Sequence, residues 1–79
     1  MDIYKLIDKQ KHISTEQKEA VSTILVEWDD YRSCQRKAKL MGKYNLTLRK
    51  LFYKRTGVMM PIMCWWNTKE DLLNQFNIN

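Results

Sequence analysis

Apolar residues recur along this chain at steps of three and four, the spacing that lines one face of an α-helix. Ile3, Leu6 and Ile7, with Tyr4 beside them, place a short amphipathic helix within residues 2–10, one that packing must hold. A second run, Val21, Ile24, Leu25, Trp28, Tyr31, Cys34, Ala38 and Met41, keeps the same steps and predicts one long helix over about residues 15–41. Asp29-Asp30-Tyr31-Arg32-Ser33 offers a competing break, because Asp and Ser favour turns and caps. Periodicity favours the unbroken helix. Leu48, Leu51 and Phe52 form the inner face of a third helix, with Arg49, Lys50, Tyr53 and Lys54 opposite. Leu72, Leu73 and Phe76 mark a last one.

The boundaries follow from capping chemistry. Ser14 with Gln17 three residues on fits a capping box, Glu16 adds negative charge to that first turn, and His12 falls in the turn before it. Gly42 is the natural stop of the long helix, in a left-handed C-terminal cap. Lys43-Tyr44 turn the chain, Asn45 caps the next helix, and Thr56-Gly57 ends it. Residues 58–66 carry no charge, and Pro61 forbids a regular helix interior, so this segment is expected to run extended around the core. Asn67 with Glu70 reads as the cap of the last helix, and Asn77-Ile78-Asn79 as a frayed tail. The expected fold is all-α, a small bundle of three to five helices in a single domain spanning 1–79.

Size narrows the function classes. A chain of 79 residues buries only about 60% of the surface its unfolded form exposes, leaving little room for an enzyme's pocket beside the core. Three Trp, four Tyr, two Phe and five Met supply large hydrophobic volume in compensation. Cys34 and Cys64 read as free thiols, and with His12 the one histidine and no Cys-x-x-Cys spacing, no metal site is expected. No nucleophile–His–acid set and no glycine-rich phosphate loop can be assembled, so neither catalysis nor a cofactor is expected. Asp29 and Asp30 diverge by roughly 100° on a helix and share no face for a cation. The N-terminus lacks the apolar core of a signal peptide, and no apolar run approaches the ~20 residues of a membrane span, so a cytoplasmic protein is expected.

Charge then singles out one region. Residues 32–69 hold ten Lys or Arg and no acid, whereas residues 1–31 hold four Lys against seven acids, within a whole-chain charge of +5. A one-signed block between counter-charged ends points to a polyanionic partner, and its interleaved Leu, Met, Tyr and Phe show that it folds. Within it lies AKLMGKYNLTLRKLF, Ala38 to Phe52, with a small residue, a glycine four residues later, polar residues opening the second helix and Leu48 and Leu51 facing inward. This stretch resembles the helix-turn-helix of the Cro-type phage repressors, over some twenty of the 79 residues. The resemblance implies a recognition helix on which Tyr44, Asn45, Leu46, Arg49, Lys50 and Tyr53 meet base edges and phosphates. Arg can bond guanine bidentately and Asn adenine, while Lys43, Lys50, Lys54 and Arg55 suit phosphates.

Trp65-Trp66 with Met41, Met59, Met60 and Met63 is the second notable feature. Most of it is expected in the core, but adjacent side chains on an extended segment alternate, so one Trp should face outward as a protein-contact anchor. Two functions stand side by side. One is a small, phage-style DNA-binding regulator using the hairpin at 38–55, as a homodimer if the 58–66 segment holds two copies together. The alternative is a non-enzymatic inhibitor or accessory protein that docks on an acidic host protein through the basic face and Met59, Met60, Trp65 and Trp66. RNA binding, with Tyr44 or Tyr53 stacking on bases, would use the same charges.

Overall fold

The computed structural model describes residues 2–42, 44–60 and 64–78, with the backbone alone at 44 and 45. Its helices are α1 (Ile3–Asp8), α2 (Thr15–Val26), α3 (Trp28–Leu40), α4 (Tyr44–Thr56) and α5 (Lys69–Gln75), and no strand occurs among the described residues. The all-α bundle is as the periodicity predicts. No helix among the described residues is long and apolar enough to cross a membrane.

Local chemistry sets most of the ends. At α2, the Ser14 hydroxyl accepts from the Gln17 N–H at 3.1 Å and the Gln17 side chain accepts from the Ser14 N–H at 3.0 Å, the capping box expected there. Asp2 caps α1 by accepting from the Tyr4 N–H. The box on α5 lies one residue later than Asn67 and Glu70: Thr68 and Asp71 exchange the two bonds instead. α4 begins at Tyr44, so Asn45 lies inside it rather than capping it.

Two expectations fail for physical reasons. The long helix over 15–41 is broken at Glu27, whose backbone (φ −96°, ψ 23°) leaves the helical region between α2 and α3. The buried stripe survives the break but shifts: beyond it Tyr31, Gln35 and Ala38 face inward, while Cys34 is half-buried and Met41 exposed. The acids beside the break find their partner on another helix. Asp30 pairs with Arg55 of α4, which reaches Glu27 as well, at 3.3 Å. Of the tail, Asn77 and Ile78 are packed rather than frayed, and Asn79 lies outside the described residues. Asn77 adopts φ 57°, its N–H donates to the Asn74 carbonyl, and the Ile78 N–H donates to Leu73 at 2.9 Å, a Schellman cap that buries Ile78. His12, in the turn before α2, donates from Nε2 to the Phe76 carbonyl at 2.8 Å and so fastens the α1–α2 turn to the end of α5.

The core gathers around Trp66, which is only 2% exposed. Tyr31 lies against it at 5.8 Å between ring centres, and Phe52 meets it edge-on at 5.7 Å. Side chains from α3 pin the non-helical stretch 64–66 here. The fully buried Gln35 amide donates to the Trp66 carbonyl and accepts from the Trp66 N–H, both at 2.9 Å. Arg32 also donates to that carbonyl, and the Tyr31 hydroxyl to the carbonyl of Cys64. Burial raises the Tyr31 phenol well above its ordinary range, and pushes the Cys64 thiol up to about 11 against the opposing pull of Arg49.

Candidate nucleic-acid interface

The α3–turn–α4 hairpin is built as the spacing of Ala38, Gly42 and Leu48 predicts. Ala38 is buried where α3 meets the bundle, and Gly42 takes φ +73°, the left-handed conformation in which a glycine costs least. The Met41 and Gly42 N–H groups close the end of α3 on the carbonyls of Lys37, Ala38 and Lys39. α4 then buries Leu48 and Phe52 against the bundle, with Leu51 half-buried.

On the opposite face Leu46, Lys50 and Tyr53 follow one another at steps of four and three, and all are exposed, as is Lys54. Leu46 is 56% exposed, Tyr53 49%, and Met59, just beyond the helix, 65%. Together with Arg49 and Lys50 these three line an open cleft of about 230 Å³. Its walls are aliphatic, thioether and aromatic, and its edge is cationic. No acid occurs from residue 31 to residue 69 to offset that charge.

Two of the cations expected at this face are committed to the fold. Arg49 donates from Nε to the Met60 carbonyl at 2.9 Å, tying α4 to the segment that follows it. Arg55, with only 19% of its side chain exposed, is held between Glu27 and Asp30, and its hydrogen bond to Asp30 raises its pKa further. A phosphate would have to displace these partners, so Arg55 is a structural cation. The side chains of Lys50, Tyr53 and Lys54 remain outward and uncommitted to any hydrogen bond or ion pair within the described residues. Lys43 and the side chains of Tyr44 and Asn45 lie outside the described residues. α3 contributes as well: Arg36, Lys37 and Lys39, members of the basic block outside the recognition-helix set, are exposed too, and Arg36 and Lys39 border a second shallow depression with Leu40.

The expected protein-contact surface at 58–66 divides. Met60 (6% exposed) and Trp66 are core residues, which corrects their placement at an interface. Met59 faces outward as expected, but into the α4 cleft. Trp65 is half-buried, with the Arg32 guanidinium 5.5 Å and the Lys39 ammonium 5.4 Å from its ring centre. The alternation of the two tryptophans is therefore as predicted, while the outward one is covered by cations from α3. Nothing among the described residues of the segment offers the long uncharged surface a dimer would need, for Cys64 is buried as well.

Among the described residues no group of three or more His, Cys, Asp or Glu could hold a metal ion. Cys34 and Cys64 form no disulfide. Comparison of the chain with protein-family models, with curated proteins and with solved structures gives no match.

Proposed function

We propose that this protein is a small DNA-binding regulator that lays the outer face of α4 against the duplex. The observation that carries the reading is the division of α4 itself. Its inner face is buried, and its outer face leaves Lys50, Tyr53 and Lys54 uncovered in a stretch of chain without a single acid. Phosphate contacts come from Lys50 and Lys54, with Arg36, Lys37 and Lys39 of α3 as further donors. Arg49 and Arg55 are left out of the contact set, because each already supports the fold.

The salt dependence of duplex binding tests this. Each neutralised phosphate adds about −0.9 to the slope of log affinity against log salt, so a slope between about −2 and −5 is expected. A slope near zero would remove the reading. The Lys50→Glu/Lys54→Glu variant should lose binding by well over tenfold and keep its melting temperature, since both side chains are exposed. Unchanged binding would move the nucleic acid off α4.

The apolar walls of the cleft favour a second reading, in which an acidic partner protein seats an apolar side chain between Leu46, Tyr53 and Met59. That partner would bind with a negative heat-capacity change and a shallow salt slope. Duplex binding would then be absent at moderate salt.

A further inference from the structure

The α4 cleft has a chemistry that duplex recognition through lysine alone leaves unexplained, and assigning it a ligand rests on the DNA-binding reading. The described side chains at the cleft are Leu46, Arg49, Lys50, Tyr53 and Met59. None is an amide or a carboxylate, the groups that read adenine or cytosine in the major groove. Of the two cations, Arg49 is held by the Met60 carbonyl, and Lys50 can only donate, to phosphate or to guanine. Leu46 and Met59 can make neither bond, yet both stand in solvent beside Tyr53 rather than in the core, and they share one concave surface instead of lying scattered. In the major groove the base-pair feature that apolar side chains recognise is the 5-methyl group of thymine.

The geometry points to the Leu46–Tyr53–Met59 cleft as a reader of pyrimidine 5-methyl groups, with Lys50 holding the flanking phosphate. Leu46 lies in the first turn of α4, the end of a recognition helix that meets base edges in helix-turn-helix docking. Charge complementarity favours the occupant: the cleft is bordered by cations within an acid-free stretch, which suits a methyl presented by a polyanion. At about 230 Å³, the open cleft is roomy enough for a methylated base edge rather than a lone methyl.

The test compares the full chain on alternating d(A-T) and d(A-U) duplexes, which differ in the 5-methyl alone, and on alternating d(G-C) duplexes with and without 5-methylcytosine. Fluorescence anisotropy should give about three- to tenfold tighter binding to each methylated duplex, the scale of one or two buried methyl contacts. Leu46→Ala and Met59→Ala should each shrink that ratio while leaving the salt slope and melting temperature unchanged, because both side chains are exposed and uncharged. Equal affinity for methylated and unmethylated duplexes, with a steep salt slope, would overturn the methyl reader and leave DNA binding standing. A methyl preference that survives both substitutions would also overturn it. Failure to bind any of the four duplexes would remove both readings and favour an acidic protein in the cleft.

Discussion

The two junctions that bracket α3 are made in opposite ways. Between α3 and α4 the contacts of the described residues are local: Gly42 turns at φ +73°, and the α3 carbonyls closed there belong to Lys37, Ala38 and Lys39 just before it. Between α2 and α3 there is no glycine, no proline and no side-chain cap. That junction is clasped from a distance, by Arg55 of α4 bonded to Glu27 at the break and to Asp30 beyond it. A local turn is available to the chain before it folds. A clasped one exists only once α4 has docked.

The sharpest way to break the contrast is Gly42→Val. Nothing lies within 4 Å of a Cβ at this position, so the cost comes from the backbone conformation alone and should reach about 2 kcal/mol. In a domain of this size that lowers the melting temperature by roughly 10 °C. An unchanged or higher melting temperature would refute the turn. Arg55→Ala should cost less, about 1–2 kcal/mol, because Asp30 is largely exposed and water recovers much of the lost pairing. Its deficit should shrink in about 1 M salt, where charges are screened within a few ångströms, whereas the Gly42→Val deficit should not. A deficit indifferent to salt would mean that Arg55 acts by packing. Asp30→Ala, removing the more exposed partner, should cost below about 1 kcal/mol in urea titration. Gly42→Asn should be the mildest, at roughly a few tenths of a kcal/mol, since Asn accepts the left-handed conformation. A loss as large as that of Val would show that the site tolerates no side chain for reasons other than φ.

Legibility in the sequence divides along the same line. The capping box at Ser14 and Gln17, the turn at Gly42 and the inner face of α4 are readable because each is decided within a few residues. The kink at Glu27 is not, because apolar spacing continues through it and its clasp lies on another helix. The candidate site is readable in outline only. Periodicity separates Leu48 and Phe52 from Lys50 and Tyr53, yet it does not reveal that Arg49 turns to the Met60 carbonyl or Arg55 to two acids. Long cations reach around a helix, so their face does not fix their partners. Along 64–66 the alternation of Trp65 and Trp66 is legible from chain geometry. Gln35, polar on an otherwise apolar stripe, is the one sign that this strap is gripped by α3, and a lone Gln says nothing of what it grips.

That grip makes a single loop proton a gauge of the whole assembly. The Trp66 N–H belongs to no helix, and a loop amide ordinarily exchanges with deuterium at close to its free rate. Here it points at the Gln35 side chain inside the core, so solvent reaches it only when the 64–66 strap parts from α3. Its exchange should therefore be as slow as that of the central α3 amides and should quicken in Gln35→Ala. A Trp66 amide that exchanges as fast as its exposed neighbour Asn67 would mean that the strap opens while the helices stay together.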